Sequence, residues 1–512
     1  MITDSALTSK DHDLTDPIIA HPTAEGSMVN VTLPTALHTA TDLIPPESFV
    51  TTQHRCASVS ATLIKANVFE SSQNPQWRIS PTPFFLDRKD VKFFESLGAH
   101  LLRFYRALNR LYLASVKGTQ PAWVHEYLDQ GKPPALLEYG RMKRFRDLLP
   151  DVIRPDIIPT DHGMVITELD SVPGGIGSTA ILSGAYATFG DDVVGGAKGM
   201  LDGFASMLQA RLGNSSGCVA IIVSDEAKDY LAEMAWLASH LKEQGTEAYC
   251  VHPRDMRFTE ESLFLMTPSG EKAVSLIYRF YELFDLKNIP KSELVMYSAK
   301  KDRVEVTPPY KPWMEEKLAF ALLHHPMLEP FWTKALGLET FDVFHQLMPK
   351  TWILDPRPIP PSAVIPNLLM EGSAVSDWHQ LAQATQRQRQ FVIKPSGFSE
   401  LAWGSRGVVI GHDIPQTEWS AALDRGLDSF ETSPHILQEF HKGRQYDVTY
   451  MEERTQEMVL MQGRVRLSPY YFVSGDEARL GGILATVCPK DKKVIHGMRE
   501  AILAPCAIAE DM

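Results

Sequence analysis

The chain has 512 residues, of which 44% are hydrophobic and 22% charged, and a formal net charge of -13. That length exceeds one ordinary core and predicts two or three packed subdomains. The acid excess argues against a nucleic-acid partner, because neutralising phosphates needs clustered Lys and Arg.

The start, MITDSALTSKDHDLTDP, is acidic where a signal peptide needs a basic region and an apolar run. No later stretch is apolar enough to span a bilayer, so the expectation is a cytoplasmic protein with no membrane partner. Five scattered cysteines, Cys56, Cys218, Cys250, Cys488 and Cys506, lack the spacing of a zinc site or a disulfide framework. Residues 1–50 are polar and Thr/Pro-rich without periodicity, and are expected to form a flexible arm.

From Asp90 to about Lys117 apolar residues recur at spacings of three and four, which predicts an amphipathic helix. A strand, MVITEL, is expected near Met164 to Leu169, followed by PGGIGSTA, a glycine turn opening into a helix. Glu168 and Asp170 alternate on that strand, so both carboxylates share a face and could hold a cation. Magnesium, which prefers oxygen ligands and substrate phosphates, suits such a pair. Asp156 upstream would add a third carboxylate, and Arg154 a cation for a transferred phosphate.

After GNSSG, the runs CVAIIVS, DYLAEMAWLASHLKEQG and TEAYCVHP read as a β-α-β unit. SLIYRFYELF is strand-like and WMEEKLAFALLHH helical. Arg279, within the strand-like run, could reach phosphates, or equally serve as a structural cation between aromatic rings. From Lys350 onward the pattern is strand-rich: QFVIKPS, GVVIGHD, HILQEF, YDVTYME, EMVLMQGRVRL and ILATVCP predict a mixed or antiparallel sheet. Lys394 ends one strand, ahead of a loop bearing Gly397, Gly404 and Gly407 that could close over phosphates. Alone, Lys394 and Lys350 read as solvated surface lysines. Arg464 and Arg466 alternate on a strand, either meeting a substrate carboxylate or forming an exposed edge face.

Lys350, Lys394 before a glycine loop, and a hinge at Gln438, Glu439 and Phe440 leading into a Gly443-to-Val448 strand together resemble the nucleotide half of ATP-grasp ligases. The resemblance implies both lysines on ATP phosphates, an adenine hinge at 438–440 and a ribose contact near Gln445. Arg154-Pro155-Asp156 and Glu168-Leu169-Asp170-Ser171-Val172-Pro173-Gly174 are similar to the family's R-x-D and E-x-N-x-x-P-G motifs, with Asp170 in place of asparagine. In the family these follow the lysines, whereas here they precede them.

The resemblance therefore implies an α/β (α+β) ATP-grasp fold, circularly permuted as in the glutathionylspermidine synthase group, with an inserted Rossmann-like pre-ATP-grasp subdomain. The implied layout is a metal and substrate half at 51–212, the inserted subdomain at 217–347 and the nucleotide half at 348–512. It further implies ATP and Mg2+ as cofactors. The implied reaction joins a small-molecule carboxylate to an amine through an acyl phosphate, with Arg154, Lys394, Arg279 and Arg466 stabilising charge. Asp156, Glu168 and Asp170 would hold metal, and Ser171, Gly174, Gly175 and Ser178 would face the acceptor. A homodimer is the default assembly. An ATP-grasp phosphotransferase or a non-catalytic ATP binder would use the same groups. Gly175-x-Gly177-x-x-Ala180 also fits a GxGxxA dinucleotide fingerprint, but the segment before Asp191 and Asp192 makes a poor second strand.

Overall fold

A computed structural model describes residues 46–70, 76–360 and 363–509. Most of the expected arm lies outside these residues. Helix α1 (Pro46–Lys65) begins within its predicted end, and α2 (Arg88–Val116) matches the predicted amphipathic helix. Between them lies β1 (Phe84–Leu86); after them come α3 (Ala122–Asp129), α4 (Pro134–Arg141) and the hairpin β2 (Val152–Thr160) and β3 (Gly163–Asp170). Helices α5 (Ile176–Ala187) and α6 (Gly199–Leu212) follow the glycine turn.

The predicted β-α-β unit is β4 (Cys218–Val223), α7 (Leu231–Glu243) and β5 (Ala248–Val251), with β4 and β5 parallel. Short β6 (Met256–Phe258) and β7 (Leu263–Thr267) lead to β8 (Gly270–Phe280), and β9 (Glu305–Thr307) completes this six-stranded sheet. A second sheet has four strands: β10 (Thr351–Ile353) and, past the two-residue strands β11 (Leu369–Met370) and β12 (Ser373–Ala374), β13 (Phe391–Pro395), β14 (Val409–Ile410) and β15 (His435–Glu439).

The strands beyond residue 444 depart from the single sheet expected after Lys350. β16 (Gln445–Met451), β17 (Met458–Ser474), β18 (Glu477–Pro489) and β19 (Ile502–Ile508) join β1, β2 and β3 in a seven-stranded sheet. Burial explains the choice. Along β17, Val465, Leu467, Tyr471 and Val473 pack into the core that α2 covers, while Tyr470 and Phe472 pack under α5 and α6 on the other face. A strand apolar on both faces needs cover on both, and near the helices β17 has it. Towards its start the second face instead carries Arg464, Arg466 and Ser468, and there the helices give way to a cleft.

Among the described residues no helix is long and apolar enough to cross a membrane.

Candidate active site

A one-residue bulge sets the orientation of the β2–β3 hairpin. Arg154 pairs with Asp170 and Asp156 with Glu168, but Ile157 pairs with Ile166, leaving Thr167 as the extra residue. Without it, strict alternation would put Ile166 and Glu168 on one face. With it, Ile157 and Ile166 enter the α2 core while Arg154, Asp156, Glu168 and Asp170 share the cleft face.

These four side chains are tied to one another and to neighbours. Arg154 lies 3.1 Å from Asp156 and 3.0 Å from Asp170. Arg466 reaches Asp156 at 3.1 Å, and Ser468 Oγ donates to it at 3.0 Å. Burial opposes ionisation of Asp156, yet Arg154 and Arg466 outweigh it and hold its carboxyl below the usual range. Asp170 goes the other way: burial, then the nearby Glu168 and Asp156, push its carboxyl up despite Arg154. Glu168 pairs with Lys317 at 2.6 Å.

Two cavities meet at this face. One, of about 470 Å³, lies between the four-stranded and seven-stranded sheets; Lys394, Gln438, Glu439, Phe440 and Arg464 line it. The other, of about 240 Å³, is walled by Arg154, Asp170, Ser171, Gly174, Lys317 and residues of the six-stranded sheet's subdomain. Asp156, Glu168 and Arg466 line both.

In the larger cavity Lys394 Nζ donates to Gln438 Oε1 at 2.8 Å and to Thr167 O at 3.0 Å. Burial pushes its pKa down to about 8, with Glu168 offsetting and Lys317 adding to the shift. Gln438 also donates to Thr351 Oγ1 at 3.1 Å, so its amide is fixed as the lysine's acceptor. Lys350 does not line this cavity: its side chain is 49% exposed and stands 3.9 Å from Glu439. Gln445, paired with Arg464 on β16, is exposed and also lies outside.

The glycine loop after Lys394 divides. Gly397 and Gly404 line the smaller cavity, whereas Gly407 packs against Pro395 and lines neither. At Gly397 an added Cβ would fall 1.5 Å from Glu315 O. Gly397→Ala is therefore expected to part the loop from the 315–316 segment and cost about 100-fold in turnover, in keeping with the penalty for small displacements near a reacting centre. Wild-type turnover in that variant would show the close approach is dispensable.

Four further residues depart from their expected surroundings. Arg279 reaches neither cavity; fully buried, it is consumed by an ion pair with Glu315, a bond to Tyr281 O and a 3.2 Å bond to Pro308 O. Gly175 and Ser178 line neither cavity, and Glu233 of α7 occupies them. Its carboxylate accepts from Gly175 N–H at 2.7 Å and from Ser178 N–H and Oγ at 2.9 and 2.7 Å. Asp170 is engaged by Arg154 and by Val172 N–H at 2.9 Å. Among the described residues no three His, Cys, Asp or Glu side chains are placed to hold a metal ion by themselves. Gly174 stays at the cavity wall, its carbonyl accepting from Arg154 at 3.1 Å and Tyr470 OH at 2.7 Å.

Lys317, Glu315 and Glu282 were not anticipated, yet all line the smaller cavity. The segment read as helical from Trp313 starts its α-helix only at Leu318, leaving Glu315 and Lys317 on irregular backbone. The proline-rich lead-in, TPPYKPW, disfavours helix only up to Lys311, so no local signal marks these two residues.

A glutathione synthetase-like effector, GSS30 from Globodera pallida in its apo form, superposes with a TM-score of 0.53 over 89% of this chain and 97% of that one, at 12% identity. The two share a fold. A putative gamma-glutamylcysteine synthetase from Methylobacillus flagellatus KT matches 74% of this chain and 86% of its own at 12% identity; its TM-score of 0.37 is too low to argue from. No family model and no curated protein matches the chain. The glutathione synthetase-like fold thus rests on three-dimensional arrangement alone, and the chemistry must be argued from the cavities.

Proposed function

We propose that this chain is an ATP-dependent carboxylate–amine ligase that works through an acyl phosphate, on a circularly permuted ATP-grasp scaffold. The observation that carries this reading is the pair of adjoining cavities that share Asp156, Glu168 and Arg466. The larger suits a nucleotide. Lys394 and Arg466 offer cations for phosphates, and Glu439 and Phe440 end a strand where an adenine edge could meet backbone groups. The smaller suits the reacting carboxylate, which Arg154 and Lys317 would hold beside the shared wall. The name of the structural neighbour, a glutathione synthetase-like effector, agrees with such chemistry.

Magnesium is commonly held by one or two carboxylates together with substrate phosphates, not by a protein cage. Asp156 and Glu168 fit that requirement, being oxygen donors at the wall common to both cavities. Bound there, the ion would supply positive charge between phosphate oxygens. The chain's own contribution is positioning and preorganised charge. Arg154 and Arg466 flank Asp156, Lys317 flanks Glu168, and Lys394 stands in a desolvated pocket where a phosphate would offset the burial of its charge.

The test is ADP release from MgATP with pooled amino acids, small peptides and polyamines, comparing the intact chain with Glu168→Ala and Lys394→Ala. Substrate-dependent release lost in both variants is the expected result. Retained release in either would sink the site assignment, and release that consumes no amine would make the chain a kinase.

A further inference from the structure

We propose that Glu282 is the residue that takes the proton from the amine substrate, an assignment that rests on the ligase reading above. An amine near neutral pH is largely ammonium and has no lone pair to attack with, so a base within reach is required. The smaller cavity holds several carboxylates, and nearly all are committed. Asp156 and Asp170 are held by Arg154, Glu168 by Lys317 and Glu315 by Arg279. Glu226 pairs with Arg406 at 3.3 Å, and Asp285 accepts from Asn288 at 2.7 Å. Of these lining carboxylates, the Glu282 side chain alone makes no hydrogen bond or ion pair among the described residues. His496, a nitrogen base in the same lining, has its Nδ1 2.9 Å from Gly497 O.

Position supports the same choice. Glu282 follows the end of β8, on a wall that contributes nothing to the nucleotide cavity. An amine held there would approach the activated carboxylate from the side away from ATP. Burial pushes the Glu282 carboxyl well above the usual range; Glu315 and Asp170 add to this, and Arg279 and Lys317 offset it. The ionised form of a carboxyl so raised is a better proton acceptor than an exposed one, and an ammonium held beside Glu282 favours that ionised form.

In the step, one ammonium proton passes to a Glu282 oxygen. The freed lone pair forms the C–N bond to the acyl carbon, the C–O bond to phosphate breaks, and its electron pair leaves with phosphate. The second nitrogen proton departs with that phosphate.

The experiment uses hydroxylamine, which is already unprotonated at pH 7 and needs no base. The full chain and Glu282→Gln are given MgATP, pooled amino acids and glutamyl peptides as carboxylates, and either hydroxylamine or protonated amines. Hydroxamate and ADP are measured. Loss of a general base costs about 100-fold or more, so Glu282→Gln should lose that much with protonated amines. With hydroxylamine the loss should be only about fivefold, because no proton need be taken before attack. The rise of amine kcat/KM with pH should also flatten in the variant, while affinity for a non-hydrolysable ATP analogue should stay unchanged. Equal losses with both nucleophiles, or none, would overturn the assignment alone. Hydroxamate formation by the wild type without turnover of any protonated amine would overturn it as well. Absence of both hydroxamate and ADP from the wild type would overturn the ligase reading along with it.

Discussion

Lys394→Met is expected to weaken nucleotide binding about 100-fold, or ~2.7 kcal/mol, while the melting temperature at pH 7 moves by only a few degrees. Among the described residues Lys394 makes no ion pair; its donors go to Gln438 and Thr167 O, and burial has lowered its pKa from 10.5 to about 8. The folded protein therefore carries this ammonium at a cost, which offsets the two hydrogen bonds that methionine forfeits. Between about pH 8 and 10.5 the unfolded chain binds more protons than the folded one, so this residue makes stability rise with pH across that window. The variant should lack that rise in denaturant titrations at pH 7.5 and 9.5. Phosphates favour the charged form, so nucleotide binding at pH 9 should take up a proton, read by calorimetry in buffers of different ionisation enthalpy. Equal uptake by the variant would refute the placement of Lys394.

The same substitution at Lys132 should have the opposite character. Lys132 Nζ lies 2.5 Å from Glu316 Oε1, with both side chains fully buried, and Glu316 Oε2 accepts from Gly397 N–H at 3.2 Å. Lys132→Met strands a carboxylate in the interior and should cost about 3–5 kcal/mol of stability, measured by urea denaturation. Lys132→Met combined with Glu316→Met should regain most of it, because apolar replacement of a buried pair is often close to neutral. A double variant as unstable as the single would mean the loss comes from packing instead of charge.

The contrast between these lysines shows what pattern reading can and cannot reach. Lys394 was legible because an apolar strand delivered it to a glycine loop, and Glu168 with Asp170 because strand alternation puts both side chains on a common face. The bulge at Thr167 was not legible, although it decides which face that is. Glu233 was equally hidden: it caps a helix on which it does not lie, and no local rule links Ser178 to a carboxylate 55 residues away. Lys132 sits among ordinary surface-like residues and becomes buried only through its approach to Glu316. β19 went unread because Pro505 interrupts its apolar run, and proline within a run argues against a strand; it pairs with β18 and β1 nonetheless.

Asp156 and Ser468 are hydrogen-bonded across 312 residues of sequence, and this bears on how the protein is made. The β2–β3 hairpin therefore leaves the ribosome some 312 residues ahead of its neighbour β17. While the intervening residues are made, β2 exposes an unpaired edge, and Arg154, Asp156 and Asp170 lack the Arg466 and Ser468 that later enclose them. Non-local pairing of this kind is slow and exposed to misassociation. Expression in cells depleted of chaperones should consequently lower soluble yield more than the stability of the finished fold would suggest.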